Sequence, residues 1–327
     1  MYSIGRFQAY TGHFDSSFIE KLKIRRDVAY IEADQIITTS GYPIPQSVQQ
    51  DAPLGLNMIS HRSFSSDYDY VYHSSAGSGV YTYIIDSGIN SEHNELFGRV
   101  RTGFIARGLA SGDRGGHGTH IAALVGGTTY GVAKRAMLVS VKVVEYSSGS
   151  AADLLDGFVW AYKDITLRRL EKKAVINISI QGGDLQAMND AIDEAAEHKV
   201  TTVVAAGNNN EDVSNQWTTE RAIVVAATDN YHRRARMSNY GSGITLFAPG
   251  VNIRSAWKGS RNAAQIMSGT SQAAAYVAGI VTLLKGRYYL PSARGTKGCL
   301  ERIATKGSVT DLRGSPDLFA YNGGNGN

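Results

Sequence analysis

The feature that most constrains the fold is a series of five short apolar runs, rich in β-branched residues, with helical patterns between them. Runs of this kind are typical of strands buried on both faces of a parallel sheet. The two clearest helical patterns, Ala151–Asp164 and Leu185–Glu197, are amphipathic. This alternation predicts a three-layer α/β fold with a mostly parallel central sheet and helices on both faces. The five runs are Val80–Ile85, Met137–Val144, Ala174–Ile180, Thr201–Ala206 and Ala222–Ala227.

The composition argues against several classes of protein. With 43% hydrophobic residues and 36 glycines among 327 residues, the chain is globular and rich in turns. The formal net charge is only +4 and the basic residues are scattered, so nucleic-acid binding is not indicated. The longest apolar stretch, Ala273–Leu284, is shorter than the ~20 residues that a membrane span needs. Cys299 is the only cysteine, which excludes an internal disulfide.

Three short segments of small residues offer a carboxylate, an imidazole and a hydroxyl. Asp86 ends the first apolar run, His117 lies between two glycines where a helix begins, and Ser271 opens a helix of small residues. A hydroxyl becomes a nucleophile at neutral pH when a base takes its proton and an acid steadies that base. The order Asp, His, Ser is one of the orders in which such triads occur. The three residues therefore indicate nucleophilic catalysis, provided that the fold brings them together.

Each of these residues, taken alone, has a simpler interpretation. Asp86 fits a turn aspartate bonded to its own backbone, His117 a surface-loop histidine, and Ser271 a helix cap. His117 and His120 have a spacing compatible with metal ligands, but no glutamate partner or further ligand cluster accompanies them. A nucleotide-binding α/β protein is a further alternative, although no glycine-rich phosphate loop follows the first strand.

The motifs resemble those of subtilisin-like serine proteases, and among them the proteinase K branch. That family carries Asp-Ser/Thr-Gly, His-Gly-Thr-His and Gly-Thr-Ser, which match Asp86–Gly88, His117–His120 and Gly269–Ser271. The match runs in register from about Asp51 to about Asn322, and it implies a subtilisin-like fold. The supporting stretches are Tyr130–Ala133, Val141–Val143, Ala205–Asn210, Ser238–Gly241 and Ala248–Gly250.

The resemblance implies a serine endopeptidase that works through an acyl-enzyme. Ser271 would attack the scissile carbonyl, His117 would shuttle the proton, and Asp86 would orient His117. The side-chain amide of Asn208 would donate a hydrogen bond to the oxyanion. Because the base must be neutral, activity is expected to fall as the pH drops through the histidine range, near ~6.5 for an unperturbed group.

The resemblance also implies how substrate and partners bind. An extended peptide would add a strand beside two segments of the chain, and small residues would floor the primary specificity pocket. The resemblance therefore implies a broad or apolar/aromatic preference for protein or peptide substrates. The other expected partner is the protein's own propeptide, which would act as inhibitor and chaperone. A monomer is expected, without nucleic-acid or membrane partners. The implied substrate-binding residues are Ser147, Gly149, Ser179, Ile180, Gln181, Gly182, Ala205, Ala206 and Gly207.

Five positions depart from the family pattern. Ala275 replaces a proline, Gln181 and Ala123 replace glycines, and Ile121 replaces a cysteine. No cofactor is expected to be required; calcium is possible, but Thr245 stands where a calcium-binding carboxylate is usual, so the strong site is expected to be lost. No triad member is missing. The departures leave one alternative open, a catalytically impaired subtilase-like binding protein.

The N-terminal segment resembles the C-terminal half of an inhibitory propeptide, through Gly12–Asp15 and Tyr30–Asp34. Strands are predicted at Phe7–Phe14 and Val28–Ile31, on either side of a helix capped by Asp15. Met1–Ser3 does not open a signal-peptide pattern, so an extracellular location is expected from the resemblance alone, and the chain is interpreted as N-terminally truncated. The expected domains are a partial propeptide (1–39), a linker with the processing site (40–50), a catalytic domain (51–322) and a tail (323–327).

Overall fold

A computed structural model describes residues 2–4, 7–33, 46–63, 67–180, 185–214, 219, 221–290 and 292–324. The chain divides into two compact units, Met1–Pro43 and Ile44–Asn327. In the described part of the chain, no helix has both the length and the apolar character needed to cross a membrane.

The first unit contains an antiparallel hairpin and one helix. Strands β1 (Tyr2–Ile4) and β2 (Phe7–Ala9) pair with each other. Helix α1 (Ser16–Lys23) begins as predicted at Asp15, whose carboxylate accepts a hydrogen bond from the N–H of Phe18 at 2.7 Å. The predicted strand from Phe7 ends early, at Ala9, and the predicted strand at Val28–Ile31 is wrong. A strand forms only where a neighbour pairs with its backbone, and the sheet described here has two strands.

The second unit is built on a nine-stranded sheet within the described residues. All neighbouring strands are parallel except for the pair at one edge. The five predicted apolar runs form five adjacent strands at its centre, which confirms the predicted α/β fold. Across the sheet the strands are β14 (Thr305–Lys306), β15 (Leu318–Phe319), β11 (Leu246–Pro249), β10 (Ile223–Thr228), β9 (Thr201–Ala205), β8 (Ala174–Ile178), β5 (Tyr81–Asp86), β7 (Met137–Lys142) and β6 (Val100–Ile105).

Smaller elements surround this sheet. The pair of β3 (Gln46–Gln49) with β4 (Tyr70–His73) is antiparallel, and β3 lies in the segment predicted to be linker. The remaining elements are α2 (Leu54–Ser60), a 3₁₀ turn (Glu171–Lys173) and the antiparallel pair of β12 (Ile253–Ala256) with β13 (Ala264–Met267).

Helices cover both faces of the sheet. Successive side chains of a strand point to opposite faces. On β5, the hydroxyl of Thr82 hydrogen-bonds Thr282 of α6 (Thr270–Arg287), whereas the hydroxyl of Tyr83 donates to Asp164 of α4 (Ala151–Leu167). Helix α3 (His117–Gly126) packs with α6, while α5 (Gln186–Glu197) packs with α4 and with α7 (Ala293–Ile303).

Helix α6 is the central helix of the core. It is buried from Thr270 to Lys285, as expected of a helix that is apolar or small on every side. Ala275 is fully buried, and the helix continues through it without interruption. Alanine favours the helix strongly, which is consistent with an uninterrupted helix at the position where the family has a proline.

The order of the strands singles out one edge of the sheet. In the sheet, β5 pairs with β7 on one side and with β8 on the other, so the strand order reverses at β5. In open α/β sheets, ligands bind outside the carboxyl ends of the strands, at the point where the order reverses. A functional site is therefore expected at the carboxyl end of β5.

Candidate active site

Asp86 is the last residue of β5, and its side chain is fully buried. Its Oδ1 accepts a hydrogen bond from the N–H of Ser87 at 2.7 Å. Both carboxylate oxygens lie close to Nδ1 of His117, at 2.8 and 2.9 Å. Because a buried carboxylate is stable only with such partners, the Nδ1–H of His117 donates to Asp86. The structure thus brings these two predicted residues into direct contact.

Two glycines allow α3 to begin against the end of β5. Gly116 caps the helix with φ 94°, in the left-handed region, and a Cβ on it would lie 2.6 Å from the ring of Trp257. A Cβ on Gly118 would lie 2.1 Å from the carbonyl oxygen of Gly88. Larger residues at either position would therefore force His117 away from its carboxylate partner.

A carboxylate that the sequence analysis missed holds the first turn of α3. Oδ1 of Asp113 accepts hydrogen bonds from the N–H groups of Gly115 and Gly116, at 3.0 and 2.7 Å. Its Oδ2 accepts from the N–H and the hydroxyl of Thr119, at 2.9 and 2.6 Å. The first N–H groups of a helix have no partner within it, so these bonds stabilise the helix start. An aspartate shortly before the helical pattern is the signal that could have identified it.

The environment of His117 favours its charged form. Burial lowers the pKa of the imidazole, but the charge and hydrogen bond of Asp86, together with the charge of Asp113, outweigh this effect. The pKa of His117 is consequently raised above 6.5.

His120, one turn further along α3, lies in a different environment. Its Nε2 lies 3.2 Å from the carbonyl oxygens of both Ile253 and Gln265, so this nitrogen carries the proton. Burial, together with the nearby charge of His117, lowers its pKa to about 4. His120 therefore ties α3 to β12 and β13 as a neutral side chain. Among the described residues, no group of three or more His, Cys, Asp and Glu side chains is arranged to hold a metal ion.

Ser271 lies in the first turn of α6, beside the end of β8. Its Oγ donates a hydrogen bond to the carbonyl oxygen of Ser179 at 2.6 Å. In return, the hydroxyl of Ser179 donates to the carbonyl oxygen of Ser271 at 3.1 Å. The Ser271 hydroxyl is thus directed at Ser179, and not at His117, in this structure.

Helices α3 and α6 run in the same direction along the sheet. Helix α6 begins beside the end of β8, and Thr282 near its other end shares a 2.8 Å hydrogen bond with Thr82, at the start of β5. Helix α3 begins at the end of β5, and its last residue, Gly126, lies against Leu138 at the start of β7. Both helix N-termini therefore lie at the carboxyl edge of the sheet.

One contact between these helices relates the positions of His117 and Ser271. A Cβ on Gly279 of α6 would lie 3.1 Å from the carbonyl oxygen of Val125 of α3. Gly279 follows Ser271 by eight positions, and Val125 follows His117 by eight. His117 and Ser271 are therefore the same number of residues from this contact, each at the N-terminus of its helix.

Asn208 follows β9 in an exposed loop near Ser271. Its Oδ1 accepts hydrogen bonds from the N–H of Thr270 at 2.8 Å and from the hydroxyl of Thr270 at 3.1 Å. The atom that faces this N–H has to be the amide oxygen, because an N–H can only donate. The NH₂ group of Asn208 is then the half of the amide turned away from Thr270.

The predicted substrate-binding residues lie at the same edge. Ser147 and Gly149 are exposed in the turn after β7, where Glu145 and Ser148 pair with each other. Ser179 is buried and Ile180 is half-buried directly after β8. Ala205, Ala206 and Gly207 end β9 and lead into the loop of Asn208, whereas Gln181 and Gly182 lie outside the described residues.

The described part of the chain also contains an apolar pocket of about 170 Å³. It opens between the first turns of α4 and α5, which follow residues 147–149 and 179–182 in the chain. Its lining is formed by Ala151, Ala152, Leu155, Leu185, Ala187 and Met188.

Thr245 stands where the sequence analysis expects a calcium-binding carboxylate to be lost. In the structure its side chain binds the backbone of β10. Its hydroxyl accepts a hydrogen bond from the N–H of Val224 at 3.1 Å, and the residue is 4% exposed. A hydroxyl engaged in this way does not supply the carboxylate oxygens that calcium prefers. We therefore assign calcium no step in the chemistry.

Comparison with known proteins gives consistent similarities. The sequence profile of the subtilase family matches residues 77–319. The chain is 43% identical over 324 residues to alkaline protease 1 of Aspergillus oryzae, covering 98% of this chain and 79% of that protein. It is 41% identical over 331 residues to the alkaline proteinase of Hapsidospora chrysogena, covering 98% and 82%. The crystal structure of a cold adapted subtilisin-like serine proteinase superposes with a TM-score of 0.76 at 33% identity, covering 83% of this chain and 98% of the other.

Proposed function

Given that this chain belongs to the subtilase family and is a serine-type endopeptidase, we propose that Asp86, His117 and Ser271 are its catalytic triad. The observation that carries the proposal is the hydrogen bond between Asp86 and Nδ1 of His117 at the carboxyl end of β5. It fixes the tautomer in which Nε2 is the basic nitrogen. The third member is supported by the packing of α3 against α6, which places the N-termini that carry His117 and Ser271 at the same edge of the sheet.

The reaction begins when the Ser271 hydroxyl turns from Ser179 to Nε2 of His117. Rotation about one side-chain bond moves a serine hydroxyl between staggered positions, so the backbone can stay in place. Ser271 Oγ then attacks the substrate carbonyl while His117 takes its proton, and Asp86 stabilises the resulting imidazolium. His117 returns the proton to the leaving amine, and water releases the acyl-enzyme by the same steps.

Two donors stabilise the oxyanion in the proposed mechanism. The NH₂ group of Asn208 donates from one side and the backbone N–H of Ser271 from the other. Thr270 holds the amide oxygen of Asn208, so the amide needs no reorganisation when charge develops. The N-terminus of α6 adds the positive end of a helix dipole.

The proposed substrates are proteins and peptides bound extended along residues 147–149 and 179–182. The small residues at the end of β9 and the apolar pocket between α4 and α5 support a broad or apolar/aromatic preference. No cofactor is required in this mechanism. We also propose that the enzyme acts outside the cell as a monomer, as the family resemblance of the sequence implies.

The first compact unit is proposed to be a partial inhibitory propeptide. Its helix begins at the predicted cap, Asp15, and the boundary between the units falls within the segment 40–50. Processing in that segment would separate it from the catalytic domain, 51–322.

Activity is expected to decline on acidification with a midpoint above pH 6.5, because the pKa of His117 is raised. Protonation below this midpoint removes the base. The raised pKa has the opposite effect on stability: the charged pair of His117 and Asp86 stabilises the fold below about pH 6.5, and this contribution is lost as the pH rises through the folded pKa. The measurements are kcat/KM and the midpoint of thermal unfolding, Tm, as functions of pH. A flat activity profile between about pH 5 and 8 would contradict the assigned base.

The test of the proposed function is reaction of the protein with a fluorophosphonate, followed by mapping of the modified peptide. A competent site places the adduct on Ser271, at a rate that rises with pH as His117 deprotonates. The impaired binding protein predicts no stoichiometric adduct under the same conditions. Unfolded protein serves as the control, since a lone serine hydroxyl is a poor nucleophile. An adduct mapped to another serine, such as Ser179, would overturn the assignment.

A further inference from the structure

The motif Ser238–Gly241 has no role in the proposed mechanism, yet its asparagine is fully buried. Nδ2 of Asn239 donates a hydrogen bond to the carbonyl oxygen of Ala206 at 2.9 Å. The backbone N–H of Asn239 donates to the carbonyl oxygen of Gly207 at 3.0 Å. Both acceptors lie directly before Asn208 in the chain.

The same side chain binds the chain on the other side of Asn208. Its Oδ1 accepts hydrogen bonds from the N–H groups of Asn209 and Glu211, each at 3.0 Å. We propose that Asn239 is a positioning residue, which fixes the backbone before and after Asn208 and so aims the Asn208 amide at the oxyanion. This inference rests on the proposed role of Asn208 as oxyanion donor.

The backbone of this loop is irregular on both sides of Asn208. Gly207 has φ 102° and Asn210 has φ 55°, so two left-handed residues bracket Asn208 and Asn209. The left-handed conformation costs a residue other than glycine roughly 1–2 kcal/mol. Asn208 itself is exposed, so burial does not fix it. One buried carboxamide, with hydrogen bonds to three backbone groups, offsets this local cost at Asn210.

The link to catalysis is geometric. An oxyanion donor acts only within hydrogen-bonding distance of the developing charge, and a displacement of about 1 Å at a catalytic group can cost ~10²-fold in rate. Thr270 holds the amide oxygen of Asn208, and its hydroxyl accepts from the N–H of Gly207 at 3.0 Å, but the chain after Asn208 has to be held as well. Asn239, which lies between β10 and β11, supplies that second constraint without touching substrate.

The test is a double-mutant cycle with a chromogenic peptide amide as substrate. Asn208→Ala is expected to lower kcat by about 10²–10³-fold. Asn239→Ala is expected to lower kcat by about 10–100-fold with little change in KM, because the lost interaction acts in the transition state. In the Asn208→Ala background the same change is expected to lower kcat by less than about 3-fold, since no donor remains to be positioned.

Asn239→Asp is measured beside Asn239→Ala: it keeps the oxygen that accepts from Asn209 and Glu211, but it replaces the donor to Ala206 with a second oxygen and adds a buried charge. If the alanine variant does not fold, kcat of the aspartate variant is compared in the native and Asn208→Ala backgrounds instead. Asn322→Ala is the matched control: this buried asparagine also joins two backbone segments, donating to Val71 at 2.8 Å and accepting from Gly324 at 2.7 Å. It is expected to lower Tm and leave kcat unchanged.

The outcomes separate the two levels of the proposal. An unchanged kcat in Asn208→Ala would show that Asn208 is not an oxyanion donor. A large loss in Asn208→Ala, with an Asn239 effect of equal size in both backgrounds, would leave the donor in place and overturn only the positioning role.

Discussion

Replacing Ser271 with alanine is expected to lower kcat by about 10⁶-fold, with KM nearly unchanged. The variant keeps Asp86, His117 and Asn208, so substrate still binds and the oxyanion donors remain. What it loses is the only hydroxyl in the proposed triad, and without it no acyl-enzyme forms. Residual hydrolysis of about 10³–10⁴-fold over the uncatalysed rate is expected from the oxyanion donors and binding alone. Steady-state kinetics and loss of fluorophosphonate labelling measure the effect.

Ser255→Ala is a suitable control for this variant. Ser255 is fully buried, and its hydroxyl donates to the carbonyl oxygen of His120 at 2.8 Å, much as Ser271 donates to Ser179. Both changes remove one buried hydrogen bond, which typically costs about 0.5–1.5 kcal/mol of stability. If the two variants lost activity to a similar degree, the effect of Ser271→Ala would be structural, and the nucleophile would have to be sought elsewhere.

The fold could be predicted from the sequence because the central strands are buried on both faces. Strands β10, β9, β8, β5 and β7 are fully or almost fully buried, and this leaves continuous apolar runs in the sequence. The edge strand β6 is half-exposed along its length, and its sequence carries no such run. Pairing between distant segments, which determines an edge strand, is not encoded in local periodicity.

The same reasoning explains the errors at the N-terminus. Val28–Ile31 contains β-branched and aromatic residues, yet Tyr30 is 66% exposed and the segment is not a strand. Propensity for a strand measures how well a side chain fits a packed sheet surface, and a side chain as exposed as Tyr30 is not packed on one. The helix at Ser16–Lys23 was predictable because its cap is local, a hydrogen bond across three residues.

At the candidate site, the residues that touch substrate in the proposed mechanism were predictable by motif, whereas their supports were not. Asp113 and Asn239 act through backbone N–H and carbonyl groups that are distant in sequence or lie in irregular loops. A sequence pattern records side chains, and it contains no direct trace of the backbone groups that they hold. The direction of the Ser271 hydroxyl, toward Ser179, was likewise visible only in the structure.

Replacing Asp86 with asparagine is expected to lower kcat at neutral pH by about 10⁴-fold. The amide is nearly isosteric, so the packing at the end of β5 is kept. Its NH₂ group donates toward Nδ1 of His117, which favours the tautomer with the proton on Nε2 and leaves no base for Ser271. Loss of the Asp86 charge also lowers the pKa of His117, so the remaining activity should have its midpoint at a lower pH.

Asp113→Asn separates the effect of charge from the effect of the tautomer. It removes a negative charge that raises the pKa of His117 and one of the two oxygens that hold the start of α3, but it leaves Asp86, the hydrogen-bond partner of His117, unchanged. Its activity midpoint should therefore move to lower pH as well, while kcat at high pH falls by less than about 10-fold, the scale expected when no catalytic group is lost. The comparison is made from kcat/KM profiles of the two variants and the native enzyme. An Asp86→Asn variant that matched Asp113→Asn in kcat would show that Asp86 acts only through its charge, and the orienting role assigned to its hydrogen bond would be wrong.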